Sequence, residues 1–216
     1  MQTRTYGDLF SLITNMIGAV ELAAEEQTQV KNFINRRYFE AYQSSSVWPR
    51  YLVVGENRLA SGQNVPFTEG TLDTIGEFLR IHKDEPFKNN TVREYKFYVD
   101  STGANILNVP QPPVLTPSVY VTYKKIFTPF TVESGFYNST AAVPEEFFNY
   151  IAHAVYADFL RVQNKQEEAI AEERVAEKYI AQELLKIDSR VTANGIKKRL
   201  NSQFRLPSSS FDASKQ

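Results

Sequence analysis

"VPEEFFNYIAHAVYADFLRVQNKQEEAIAEERVAEKYIAQELL", residues 143–185, decides how the chain folds. Pro144 suits the first turn of a helix, where its missing N–H costs nothing, and Glu145 and Glu146 sit where the helix dipole favours negative charge. Phe148, Ile151, Ala152, Val155, Phe159 and Val162 then recur at intervals of three and four and define one face. Phe147, Tyr150, Ala154, Ala157 and Leu160 cover much of the remaining circumference. A helix so widely apolar packs between partners and does not lie on a surface. After the turn "QNKQ" (163–166) a second helix runs to about Ser189, with Ala169, Ala176, Ile180, Leu184 and Ile187 inward and several alanines permitting close approach. A link this short makes the two helices antiparallel neighbours.

Two more helices precede them. Thr5 caps the first, Asp8 lies in its opening turn, Leu9, Leu12, Ile13 and Met16 share a face, and Gly18 stops it. Between about residues 23 and 44, Val30, Phe33, Ile34, Arg37, Tyr38 and Ala41 form an inward stripe, with Lys31, Asn35 and Arg36 in water. At "SSSVWPR" the pattern changes. From Tyr51 to about Thr131 short alternating runs predict strands: "YLVVGE", "EFLRIHK", "REYKFYVD", "ANILNV" and "VYVTYKK". "PQPPVLTP" (110–117) is too rich in proline to pair inside a sheet and reads as a loop. Trp48 and Pro49 stand at the junction, where a large ring would fix the angle between helices and strands.

The fold class expected is α+β: an antiparallel bundle of about four helices with an inserted antiparallel β lobe and an extended C-terminal tail. Its segments are 1–47 (first two helices), 48–142 (β lobe), 143–189 (helical hairpin) and 190–216 (basic tail). At 42% hydrophobic and 13% aromatic the 216 residues hold enough apolar surface for a core. No run of about 18 apolar residues predicts a membrane span, and the opening "MQTRTYGDLFSLITNMIG" lacks a basic region and cleavage site, so a cytoplasmic origin is expected. The sequons at Asn89–Thr91 and Asn138–Thr140 read as chance matches. With no cysteine, disulfides, thiol catalysis and Cys-ligated metal are excluded.

The chemistry-bearing residues form no catalytic set. His82 falls in a strand pattern and His153 in a buried-helix pattern, with no serine, metal-binding or phosphate-loop motif beside either. The acids Glu167, Glu168, Glu172, Glu173 and Glu177 read as a solvated helix face, and Tyr95, Phe97 and Tyr98 as core packing in preference to a base-stacking platform. No enzyme activity, cofactor or metal is expected. The charge is uneven: the net value of −1 divides into an acidic body and a basic tail containing Lys197, Lys198, Arg199 and Arg205. Asn194 and Gly195 should break the last helix there. The tail also carries Ile196, Leu200, Phe204 and Leu206, more apolar residues than a solvated tail usually holds, so docking on another protein is expected through both charge and burial. A tail that grips nucleic-acid phosphate is the alternative.

The hairpin quoted above resembles that of the head-to-tail connector, or adaptor, proteins of tailed bacteriophages, in its Pro-Glu-Glu entry, aromatic helix and acidic, alanine-rich return. "VKNFINRRYFEAYQSSSVWP" is similar to that family's second helix, with paired arginines before a Trp-Pro exit, and "VYVTYKKIFTPFT" to the strand leading back to the bundle. The resemblance implies a virion structural protein, made in the host cytoplasm, that forms a ring of about twelve copies at the neck. There the C-terminal segment binds the portal protein, a downstream component such as a nozzle or stopper follows, and double-stranded DNA passes through the lumen. On that expectation Ile196, Lys197, Lys198, Arg199, Leu200, Phe204, Arg205 and Leu206 dock on the portal, while Phe147, Tyr150, Ala154, Ala157 and Tyr179 form ring contacts. A stopper or tail-completion protein is the neighbouring alternative.

Overall fold

The computed structural model describes residues 3–60, 62–82, 84–86, 94–99, 101, 103, 105–109 and 118–203, with Thr3, Tyr98 and residues 189–203 as backbone alone. Four helices and antiparallel sheets make the fold α+β. The elements are β1 (Thr3–Thr5), α1 (Tyr6–Ile17), α2 (Ala24–Gln43), β2 (Leu52–Leu59), β3 (Asn64–Val65), β4 (Ile75–His82), β5 (Lys96–Val99), β6 (Asn105–Asn108), β7 (Ser118–Lys125), β8 (Ala142–Pro144), α3 (Glu145–Val162) and α4 (Gln166–Gln203).

Helix boundaries follow local chemistry. Thr5 Oγ1 accepts from the Asp8 N–H while Asp8 accepts from the Thr5 N–H, both at 3.1 Å, which closes a capping box at the start of α1. Gly18 ends it in the left-handed conformation at φ 79°. Eleven of the 18 residues of α3 are buried, and they lie around most of its circumference as the sequence requires. Val162 is the exception: expected on the inward face, it is 54% exposed at the last turn, past the end of its neighbours. The α3–α4 turn is closed by Asn164 at φ 62°.

The core of the bundle joins Leu9, Phe10, Val30, Ile34, Phe147, Ile151 and Val155. Trp48 belongs to it, 1% exposed, with Nε1 donating to the Ala41 carbonyl at 2.9 Å and its ring edge-on to Phe147. The β lobe has a core of its own around Val65, Ile81, Leu107, Val119, Val121 and Tyr123. Two three-stranded antiparallel sheets enclose it, in the orders β2-β7-β4 and β3-β6-β5. A small third pair, β1 with β8, ties the start of α1 to the start of α3; neither strand has the length or alternation that marks a strand in sequence.

Asn35 was expected in water. Its side chain instead accepts from the Phe130 N–H at 2.8 Å and donates to the Phe130 carbonyl at 3.1 Å, clamping the returning loop onto α2. Lys31 is also drawn out of water, paired with Glu133 at 2.7 Å. A second difference concerns α4, which continues through Asn194 and Gly195 to Gln203 instead of ending near Ser189. One glycine costs about 1 kcal/mol in a helix interior, and the good helix formers that follow it offset this. The loop 110–117, the sequon Asn89–Thr91 and the tail from Phe204 lie outside the described residues.

Candidate functional site

A polar cluster lies inside the bundle. Arg37, 8% exposed, donates from Nε and Nη2 to the two carboxylate oxygens of Asp158 at 2.7 and 2.6 Å, and from Nη1 to Glu40 at 2.8 Å. Arg36 reaches the same Asp158 at 2.5 Å, Arg161 reaches it at 3.2 Å and also pairs with Glu173, and Tyr150 donates to Glu40 at 3.2 Å. Burial works against the Asp158 carboxylate, but the hydrogen bonds and charges of Arg37 and Arg36 outweigh it and hold the group below its ordinary value. Burial likewise opposes the Arg37 cation, and Asp158 and Glu40 prevail. The phenol of Tyr150 is pushed up to about 12 by burial and by Glu40. Three cations meet three carboxylates across α2, α3 and α4, and each is spent on another member of the set, so the cluster fixes helix register and leaves no group to react.

The two histidines have separate surroundings. His153 Nδ1 meets Glu172 at 2.8 Å and its ring stacks on Tyr179 at 5.2 Å, linking α3 to α4 on a partly exposed face. None of the described clefts is lined by either partner. His82, 3% exposed, meets the Thr122 hydroxyl through Nε2 at 2.9 Å and borders a cleft with no carboxylate among the described residues that line it. Among the described residues no group of three or more His, Asp or Glu side chains is placed to hold a metal ion. No helix there is long and apolar enough to cross a membrane.

The expected ring contacts need correction. Phe147 and Ala157 are 0% exposed, Ala154 1% and Tyr150 9%, all covered by their own chain, and Tyr179 is half-buried against His153. The widely apolar α3 finds its partners within the bundle, so its four side chains have no surface left for a neighbour, while Tyr179 on α4 stays partly open. The expected portal-docking residues are divided. Ile196, Lys197, Lys198, Arg199 and Leu200 fall in the last turns of α4, where the structure gives backbone alone, while Phe204, Arg205 and Leu206 lie outside the described residues.

What remains open is the solvent side of α4. Ala169, Ala176 and Ile187 face the bundle. At 100° per residue the opposite side carries Ala171, Arg174, Lys178, Ala181 and Leu185, all exposed, with Ile170 and Val175 at its margins. Leu185 is 66% exposed, and neither Arg174 nor Lys178 has a partner among the described residues. At about 1.5 Å per residue α4 is also roughly twice as long as α3, so its last turns extend past the helix it packs on. On the β lobe, the edge strand β5 and the residue before it show a second apolar stripe: Tyr95, Phe97 and Val99 share one face and are 40%, 54% and 57% exposed. These exposed surfaces are candidates for contact with other molecules. No protein-family model matches the chain, and no curated protein matches it.

Proposed function

We propose that the chain is a non-enzymatic assembly protein of a tailed bacteriophage, a head-to-tail adaptor that forms a ring of about twelve copies below the portal protein. The observation that carries this reading is α4: a long helix with one side sealed on its own bundle, the other side bare and studded with alanine and leucine, and an end that outruns its partner. A stripe of small and apolar residues lets a neighbouring helix approach closely, and a head-to-tail contact repeated around an axis closes a ring. The ring contacts are therefore assigned to Ala171, Ala181 and Leu185, with Arg174 and Lys178 meeting acids on the next copy.

The final turns of α4 and the basic segment after them reach the portal, combining apolar anchors with charge attraction. The β5 stripe meets the next component of the tail, a nozzle or stopper, and double-stranded DNA passes through the lumen. The protein is made in the host cytoplasm and resides at the neck of the virion. Deleting residues 195–216 leaves a folded chain that no longer sediments with portals; undiminished co-sedimentation contradicts the assignment. If the isolated segment retains DNA and loses it steeply with salt, the nucleic-acid alternative is favoured instead.

A further inference from the structure

The sheet β2-β7-β4 turns one face to the lobe core, and its other face is only half covered. At one end Lys124, 2% exposed, donates to the Tyr42 carbonyl at 2.6 Å and lies 3.7 Å over the Tyr42 ring, so α2 closes that part of the sheet. At the other end the described residues leave the face open. Leu52 and Val54 of β2, Thr122 of β7 and Leu79, Arg80 and His82 of β4 border a cleft of about 590 Å³, flanked by Val47 and Pro86. Val54 and Val47 at its rim are 42% and 38% exposed.

The cleft is shaped by a bulge. The pairing of β2 with β7 slips between Val53 and Glu56, and Gly55 sits there at φ 66° with Pro86 so close that an added Cβ would lie 2.4 Å from its ring. Gly55 N–H donates to Thr122 Oγ1 at 3.1 Å. When that hydroxyl sends its own proton to His82 Nε2, every donor in the chain is used and the neutral ring carries its hydrogen on Nδ1. Nδ1 is buried and has no hydrogen-bond partner among the described residues. Burial and the nearby Arg80 both disfavour the charged imidazole. Arg80 is exposed and has neither a hydrogen bond nor an ion pair among the described residues. Apolar walls and, at the mouth, a guanidinium with no partner among the described residues ask for an apolar group that carries negative charge.

We propose that this cleft is a docking site for a peptide segment of another protein in which a carboxylate, from an acidic side chain or a chain end, adjoins a large apolar side chain. The apolar side chain lies against Val47, Val54 and Leu79, and the carboxylate pairs with Arg80. A carboxylate is favoured over a neutral acceptor because Arg80 is a fixed cation with no partner among the described residues.

The test presents the immobilised full-length chain with a synthetic library of short random peptides. Captured sequences are expected to be enriched in Asp, Glu or a free C-terminal carboxylate beside Leu, Ile or Phe. Arg80→Glu should turn the preference towards Lys and Arg, and Val54→Ser should weaken the best binder by about tenfold. Both positions are exposed, and unchanged thermal melting of the variants verifies their folding. In ¹⁵N-histidine spectra, saturation with the best peptide should shift the His82 ring nitrogens and leave those of His153 in place. No enrichment, or enrichment indifferent to Arg80→Glu, overturns the proposal. Binding of free octanoate with the same dependence on Arg80, and of no peptide, assigns the cleft to small carboxylates and overturns it as well.

Discussion

Each of the two lobes buries an arginine, and they satisfy it in opposite ways. Arg37 in the bundle meets side-chain carboxylates from α2, α3 and α4. Arg58 in the β lobe, 1% exposed, meets one carboxylate, Glu56 at 2.8 Å, and otherwise donates to the carbonyls of Pro66, Phe67 and Asp73 and to the Tyr123 hydroxyl. Charge matching among side chains specifies the register of three helices, since a slipped helix strands a charge. Carbonyl capture gathers a loop that has no regular structure to hold it. The bundle is thus built to keep one arrangement while bearing contacts, and the lobe to hold an irregular surface in place.

Breaking the comparison at its strongest point, Asp158→Ala removes the carboxylate that Arg36, Arg37 and Arg161 share and leaves buried positive charge uncompensated. A loss of about 3–5 kcal/mol is expected in denaturant unfolding followed by Trp48 fluorescence. Arg58→Ala should cost less, about 2–3 kcal/mol, because the freed carbonyls can turn towards water. Its effect should appear as faster hydrogen exchange in β2, β4 and β7 while the helices stay protected. Equal exchange in both lobes would mean that they unfold as one unit. Asn35→Ala, which frees the N–H and carbonyl of Phe130, is expected to cost about 1–2 kcal/mol, and Thr5→Ala about 1 kcal/mol through the lost cap.

The smallest effect separates the lobes by pH. His82 resists protonation in the folded state, so the unfolded chain binds the proton first. Lobe stability should begin to fall as pH drops below the ordinary histidine value of 6.5 and continue down to the lowered folded value. Asp158 is held below 3.8, so its contribution is complete above that value and is lost only as pH falls beneath it. Between these windows, amide exchange should report a weakened lobe while Trp48 fluorescence is unchanged. Loss of the Trp48 signal at the upper window would contradict the assignment.

How much of this was legible in the sequence depended on range. The capping box at Thr5 and Asp8, the stop at Gly18 and the near-continuous apolar surface of α3 are written within a few residues, and so are the alternating strands. The partners of Arg37 were not legible, because Asp158 lies 121 positions away and an acid within an apolar helix gives no sign of which cation it meets. A separation of 95 positions hid the Asn35 clamp in the same way. The four expected ring residues on α3 were misplaced for a related reason: periodicity identifies buried faces without saying which chain buries them. For α4, Asn194 and Gly195 suggested an end that the surrounding helix formers override. The His82 cleft had no sequence signal, as it arises from a bulge, a close proline and a half-covered sheet.

The mass of the native particle, measured with and without a portal protein from the same genome, tests the adaptor reading most directly. The full chain should join the portal in about twelve copies, and the chain lacking residues 195–216 should remain apart from it, with the helical bundle intact. A full-length chain that stays at 24.7 kDa beside the portal, or a truncated one that binds as well as the intact chain, would contradict it.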